Sequence, residues 1–178
     1  MRLLRNLVVG LVALVAVLAL AAFALPREVT VARSVTVAAP PAKVFPLVNS
    51  LREFTRWSPW AALDPNMKVT FDGAPEGVGA RMRWSSEVGQ VGTGMEEITE
   101  SVLDERVAAR LQFGGMAPSG AYFDLEPEGE GTLVTWTLVA DMGMNPIGRW
   151  MGFLAMDRMV GGDFDTGLAR LKAKVEGG

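Results

Sequence analysis

The amino-acid sequence predicts an α+β fold in which a curved antiparallel sheet of about seven strands surrounds a long C-terminal helix. Three observations predict it. One segment of strand character is followed by two short helical segments. About six further strand-like segments come next, joined by short turns, which is typical of an antiparallel meander rather than of parallel βαβ units. The chain then ends in an apolar stripe of helical spacing, which provides the cover that a one-sided sheet requires.

An uncharged apolar segment, Leu7–Leu25, precedes these elements. As a helix, its 19 residues would extend roughly 28 Å, close to the ~30 Å hydrocarbon core of a bilayer. We therefore expect residues 1–25 to form a single-pass transmembrane anchor. The alternative is a signal peptide, because Arg2 and Arg5 precede the apolar run and Ala-Phe-Ala at 22–24 resembles a cleavage site.

Basic residues on both sides of the apolar segment determine the expected orientation in the cell membrane. The amino terminus and two arginines precede the segment. Arg27, Arg33 and Lys43 follow it within about 20 residues. This near balance leaves a slight preference for placing the following domain, residues 27–178, on the extracytoplasmic side.

The composition excludes several kinds of chemistry. The chain has no cysteine and no histidine, so it has no disulfide, no Ser-His-Asp or Cys-His nucleophile and no histidine base. A zinc site would have only carboxylate ligands, and we therefore expect neither a metal site nor a cofactor. The net charge is −3 and no basic stripe is present, so we expect no nucleic-acid partner.

The first predicted strand covers Arg27–Val37, where valines partly alternate with polar residues. Pro40 and Pro41 then favour the start of a short amphipathic helix. A second short helix is expected to begin after Ser50, and Pro59 is expected to end it. Its end carries a pair of tryptophans, Trp57 and Trp60.

The strands of the meander are predicted from alternating apolar and polar residues. Their expected inward side chains are Met82 and Trp84 in the second strand of the meander, Ile98 in the third, Leu111 and Phe113 in the fourth, Phe123 in the fifth and Trp136 in the last.

The C-terminal helix is predicted to begin at Asn145 and Pro146, an N-cap followed by proline at the first helical position. Its apolar stripe includes Phe153, Met156, Val160 and Phe164. Gly161 and Gly162 interrupt the stripe, so we expect a kink or a break there.

The sequence resembles the SRPBCC (START-like, helix-grip) superfamily over residues 27–176. The resemblance lies in the order of elements and in three segments, "REVTVARSVTVAAPPAKVFPLVNSLREFTRWSPW", "DPNMKVTFDGAPEGVGARMRW" and "GMNPIGRWMGFLAMDRMVGGDFDTGLARLK". Within the superfamily, the chain is most similar to bacterial polyketide cyclase/dehydrase-like proteins, many of which carry an N-terminal hydrophobic segment. The resemblance implies a helix-grip domain with a cavity for hydrophobic ligands, and only some members are enzymes.

The resemblance places the ligand-binding cavity between the sheet and the C-terminal helix. The side chains expected to line it are Trp57, Trp60, Met82, Trp84, Leu111, Phe113, Phe123, Trp136, Phe153, Met156, Val160 and Phe164. We expect the two tryptophans of the short helix to close one end. The same apolar residues would also suit a filled core, so both interpretations remain open.

Two further features bear on function. Alternation around Ile98 places Glu96 and Glu100 on the inner face, where a desolvated Glu96 would have a raised pKa and could act as an acid or base. Alternatively, Glu96 lies in water at a strand end, or a bulge at 92–94 exchanges the two faces. Five methionines between 142 and 159 suit a pocket mouth or a membrane-facing edge, or are ordinary core.

Three functions are therefore carried forward. The first is a membrane-anchored START-like domain that binds a hydrophobic small molecule or a lipid, with residues 7–25 in the membrane. The second is a cyclase/dehydratase-type enzyme with Glu96 as its acid or base. The third is a non-catalytic interaction or assembly module with a filled core.

Overall fold

The structure is a computed structural model and describes residues 1–177, in which five α-helices and seven strands are formed. The helices are α1 (Arg2–Ala21, extended by a 3₁₀ turn at Ala22–Ala24), α2 (Pro41–Asn49), α3 (Leu51–Trp57), α4 (Pro59–Leu63) and α5 (Pro146–Glu176). The strands are β1 (Glu28–Val37), β2 (Lys68–Gly73), β3 (Ala80–Ser85), β4 (Thr93–Val102), β5 (Arg106–Phe113), β6 (Ser119–Glu128) and β7 (Gly131–Asp141).

All seven strands form one open antiparallel sheet in the order β1-β7-β6-β5-β4-β3-β2. The meander from β2 to β7 is therefore confirmed. β1 returns to pair with β7, and its first residue, Glu28, lies opposite Asp141, the last residue of β7. We call this end of the sheet the basal end, because α1 leads into it. The opposite end carries the β4–β5 turn and the turn between β6 and β7.

The helices cover one face of the sheet. α5 packs chiefly on β1, and α2 lies over the central strands β5, β6 and β7. The N-cap of α5 is the predicted one, since the Asn145 side chain accepts a hydrogen bond from the backbone N–H of Ile147. The long helix, the short helices and the sheet thus form the predicted helix-grip arrangement.

A cluster of aromatic rings forms the centre of the core. Trp136 of β7 stacks on Phe164 of α5, with ring centroids 3.9 Å apart and planes 4° from parallel. Edge-on contacts to Trp136 come from Phe54, Trp57 and Trp60 of the short helices. Aromatic pairs of this kind each contribute about 0.5–1.5 kcal/mol beyond their burial. The cluster therefore fixes α5 and the short helices to the sheet.

The expected break in the C-terminal helix is wrong, because α5 continues through Gly161 and Gly162 without interruption. The structure gives Gly161 a different role. A Cβ atom there would lie 2.1 Å from Nη2 of Arg33, so a larger residue would force this guanidinium to move from its position against the helix. Arg33 forms ion pairs with Asp157 and Asp165 on either side of that point. Gly161 therefore allows the Arg33 side chain to approach the backbone of α5 closely, and it does not end the helix.

The short-helix region also differs from the prediction. α3 ends at Trp57, but Pro59 then occupies the first position of a third short helix, α4, which carries Trp60. Proline suits a first helical position because it has no N–H to satisfy there. The two tryptophans consequently belong to different helices, and their environments differ. Trp57 is buried, whereas Trp60 is half-buried.

Candidate functional site

The side chains predicted to line a cavity divide into three groups. Seven of the twelve are buried together in the core, namely Trp57, Met82, Trp84, Leu111, Phe123, Trp136 and Phe164. Four are half-buried and pack against that core, namely Trp60, Phe113, Met156 and Val160. One, Phe153, is 57% exposed and lies at the surface. We call the seven buried residues the floor and the four half-buried residues the rim.

A small void borders the core, and Phe123 is the floor residue that lines it. The void between α2, α3 and the central strands has a volume of about 10 Å³. That is room for about one water molecule, whereas pockets for organic ligands measure roughly 300–1,000 Å³. In this conformation the aromatic cluster fills the space between the sheet, the short helices and α5. An apolar ligand would therefore meet the protein at the rim, where the same hydrophobic surface is still partly exposed.

Glu96 is the one acidic side chain buried within residues 1–177. It lies on β4 beside that small void, among the apolar side chains of α2, α3 and the neighbouring strands. Within the same residues, no side-chain hydrogen bond to its carboxyl group is formed. Burial without a counter-charge raises the pKa of Glu96 to about 7, because the charged form is poorly solvated there. The group therefore titrates near neutral pH.

Glu100 was expected on the same inner face, and this is wrong. The register between β4 and β5 shifts between Ile98 and Glu100, where a β-bulge inserts Thr99. One extra residue exchanges the two faces of a strand beyond it. Glu100 is thus exposed, and its carboxylate approaches Arg106 at 3.7 Å.

Metal-binding geometry is not formed in the part of the chain that the structure describes. No group of three or more acidic side chains within residues 1–177 is arranged to hold a metal ion.

A second group of contacts joins α1 to α5. Arg149, in the first turns of α5, is only 7% exposed. Its Nη1 donates to the backbone carbonyls of Phe23 and Leu25, each at 3.3 Å, and its Nε donates to the carbonyl of Gly143 at 2.9 Å. The guanidinium also lies over the Phe23 ring, 5.1 Å from its centre. A cation is favourable at this place, because the end of a helix presents unpaired carbonyl groups.

The neighbouring residue strengthens the same joint. Trp150 donates its indole N–H to the carbonyl of Leu18, one turn before the end of α1, at 3.0 Å. We call the contacts of Arg149 and Trp150 with the residues that end α1 the anchor joint.

An ion pair at the basal end supports the anchor joint. Arg27 donates to both carboxylate oxygens of Asp141, at 2.8 and 2.6 Å, and the backbone N–H of Gly143 donates to the same carboxylate at 2.7 Å. These hydrogen bonds lower the pKa of Asp141 to about 2. The carbonyl of Gly143 is in turn an acceptor for Arg149. The pair thus fixes the loop that positions Arg149.

The sequence prediction missed both residues of the anchor joint. A charged residue near a helix start is usually a surface residue, and a tryptophan beside several methionines is compatible with core or surface. One signal was available, since both residues lie in the "GMNPIGRW" segment on which the family resemblance partly rests.

Comparison with known proteins agrees with the fold. Residues 28–176 match the family model described as polyketide cyclase / dehydrase and lipid transport. The chain belongs to this family. It therefore belongs to the SRPBCC superfamily of START-like, helix-grip domains. A comparison with curated proteins gave no match.

Solved structures of similar fold come from several bacteria. A protein from Thermobifida fusca is 25% identical, with a TM-score of 0.62 over 82% of this chain and 92% of that one. TTHA0849 from Thermus thermophilus is 21% identical, with a TM-score of 0.62 over 83% and 97% of the two chains. MLL2253 from Mesorhizobium loti is 18% identical, with a TM-score of 0.58 over 83% and 96%. These likenesses establish the fold that this family member shares.

The pKa of Glu96 leads to a prediction about stability. The folded-state pKa of about 7 lies above the ordinary value of 4.5, so wild-type stability is lost as pH rises from about 4.5 through 7. The whole loss is on the order of 3 kcal/mol, at about 1.4 kcal/mol per pKa unit. Glu96→Gln removes it. We expect the stability of E96Q relative to wild type to increase between pH 5 and 8, measured by urea unfolding with tryptophan fluorescence.

The matched control for this measurement is Glu100→Gln, which removes an exposed carboxylate from the same strand. Its stability relative to wild type should stay constant over the same pH range. Parallel pH profiles of wild type and E96Q would show that the Glu96 carboxyl group is not desolvated.

The anchor joint leads to a second prediction. Arg149→Met removes the donors to Phe23 and Leu25, and each hydrogen bond to a charged group contributes about 1.5–3 kcal/mol. Local opening of residues 22–27 should then increase about tenfold or more, since 1.4 kcal/mol corresponds to a factor of ten. We expect chymotrypsin to cleave the full chain in liposomes faster after Phe23, as measured by fragment mass.

Arg110→Met is the control for the proteolysis experiment, because this exposed arginine lies on β5, away from the joint. It should leave the cleavage rate unchanged. Equal rates for wild type and R149M would contradict the role given to Arg149.

Proposed function

We propose that this chain is a membrane-anchored START-like domain that binds a hydrophobic small molecule or a lipid at the rim of its core. The single observation that carries the proposal is the division of the predicted cavity lining into a filled floor and a partly exposed rim. The rim residues Trp60, Phe113, Met156 and Val160 come from α4, β5 and α5 and pack, partly exposed, against the core. Lipid transport in the family description supports the same class of ligand.

The energetics of such a site depend on apolar burial. An apolar chain that leaves water gains roughly 25 cal/mol per Å² buried, so ~200 Å² would provide about 5 kcal/mol before ordering costs. Two of the rim residues are adaptable, since Met156 is flexible and Trp60 sits on the very short helix α4. The rigid floor behind them gives the ligand a surface against which to pack.

The anchor joint supports an anchor that is retained rather than cleaved. The apolar helix with its 3₁₀ turn, Arg2–Ala24, is 23 residues long, contains an 18-residue stretch with a mean hydropathy of 3.0 and is long enough to cross a membrane. Cleavage after Ala24 would remove Leu18 and Phe23, the acceptors for Trp150 and for one bond of Arg149. A buried guanidinium would then lose part of its hydrogen bonding, which is unfavourable. We further propose, from the flanking charges, that residues 27–178 lie on the extracytoplasmic side.

The ligand-binding proposal is tested by extracting residues 27–178, produced as a soluble domain, with organic solvent and analysing the extract by mass spectrometry. We expect a co-purified apolar molecule in wild type. Val160→Trp places a bulky ring at the rim and should reduce the bound amount at least tenfold. The control, Leu103→Trp, changes an exposed residue of the β4–β5 turn and should retain the ligand.

A ligand-free extract, together with no response to hydrophobic fluorescent probes, would contradict the binding function. That outcome would favour the interaction module with a filled core, which the small volume beside Glu96 also favours.

A second function, an enzyme of dehydratase type, is favoured by the environment of Glu96. This carboxyl group is buried, has a pKa raised to about 7 and faces a void of about 10 Å³. A group of this kind could take the α-proton of a β-hydroxyacyl thioester and return it to the departing hydroxyl, so that a C–H and a C–O bond break, a C=C bond forms and water leaves. Substrate would have to open the void first.

The enzymatic alternative is tested by incubating the protein with a β-hydroxyacyl thioester and following water loss by mass spectrometry. Catalysis by Glu96 predicts turnover that is lost in E96Q and kept in E100Q. Absence of turnover in wild type, or equal turnover in E96Q, would remove Glu96 as a catalytic residue and leave the binding function.

A further inference from the structure

The first half of α5 carries an exposed apolar surface. Ile147, Met151, Phe153 and Leu154 are exposed and the half-buried Trp150 lies among them; we call these five residues the α5 apolar face. Ile147 is 72% exposed, Met151 53% and Leu154 63%. These three residues are spaced by four and three positions, so they lie on one side of the helix. A contiguous exposed apolar patch usually marks a contact with a membrane or a partner.

The position of this face identifies its partner. Trp150, a member of the face, donates its indole N–H to the carbonyl of Leu18 in α1. The α1 side chains are themselves almost entirely uncovered, since only 6% of the apolar span is buried. The apolar surface of α1 is therefore continuous with that of α5. A bilayer that surrounds α1 up to its last turn would reach the α5 apolar face without a gap.

The chemistry of the face also fits a bilayer surface. Tryptophan is enriched at membrane interfaces, where its ring is apolar and its N–H is bonded. Met144, in the loop just before α5, adds another exposed apolar side chain at the same end. Arg158 follows Leu154 by one helical turn, is exposed and forms no ion pair within residues 1–177. Its guanidinium is thus free to meet lipid phosphate groups.

We propose that the α5 apolar face lies in the interface of the bilayer that α1 spans, with Arg158 directed at the phosphate layer. This inference rests on the anchoring part of the proposed function and adds a second membrane contact. Met156 and Val160 of the rim belong to the same half of α5 but lie on its opposite side, two and six positions from Leu154, where they pack against the core.

The absence of cysteine from the chain allows a direct test with single-cysteine variants of the full-length protein. Spin labels are attached to Met151→Cys and Leu154→Cys, and the protein is reconstituted in phosphatidylcholine/phosphatidylglycerol vesicles. Oxygen, which concentrates in lipid, and a water-soluble nickel chelate then report the surroundings of each label. Leu103→Cys, 73% exposed at the β4–β5 turn, is the aqueous control, and Leu14→Cys in α1 is the lipid control.

We expect the labels at 151 and 154 to be relaxed more by oxygen than by nickel, as at position 14, and the label at 103 to show the reverse. Labels at 151 and 154 that match the one at 103 would overturn the proposal and leave anchoring intact, provided that position 14 reports lipid. Shielding from both reagents would indicate a protein partner and would also overturn it. A nickel-accessible label at position 14 would contradict anchoring itself. The mass-spectrometric test of ligand binding is independent of all these outcomes.

Discussion

The buried guanidinium of Arg149 is the interaction on which the functional arrangement depends. A charged group removed from water is unfavourable unless its donors are satisfied, and here three backbone carbonyls and one aromatic ring surround it. The carbonyls of Phe23 and Leu25 follow the end of α1, whereas that of Gly143 belongs to the loop before α5. One side chain thus connects the apolar N-terminal helix, the end of the sheet and the start of the long helix. The hydrogen bonds of Arg149 therefore fix the side toward which the rim faces relative to α1.

The long helix combines two environments along its length. Its second half is core, with Phe164 stacked on Trp136 and Leu168 and Leu171 fully enclosed. Gly167 permits this closeness, because a Cβ atom there would lie 2.8 Å from the Trp136 ring. Its first half is apolar but largely exposed. The helix is thus fixed at one end by packing and presents exposed apolar side chains at the other, where we propose the membrane contact.

Much of the fold could be predicted because burial in a one-sided sheet has a period of two residues. The alternation around Met82, Trp84, Leu111 and Trp136 therefore identified the inner face correctly. The same rule failed at Glu100, because the bulge at Thr99 arises from the pairing of two strands and leaves no local mark. Gly161 was misread for a related reason, since the guanidinium that requires it lies far away in sequence, at Arg33.

The site was predictable only in part. The apolar residues of a cavity and those of a filled core have the same composition and spacing, so the division into floor and rim required the packing of the rings. The burial of Glu96 followed from alternation, but the size of its void did not. Arg149 was missed because a buried arginine is recognised by its acceptors, and those acceptors are backbone groups that carry no sequence signature.

The central claim is that the anchor joint holds the domain in one orientation on α1. It is tested most directly by the distance between spin labels on Leu14→Cys in α1 and Leu103→Cys in the β4–β5 turn, measured by pulsed electron resonance on the full chain in lipid nanodiscs. A rigid joint predicts one narrow distance distribution that broadens when Arg149 is replaced by methionine. A distribution that is already broad in the protein with native Arg149 would contradict the account.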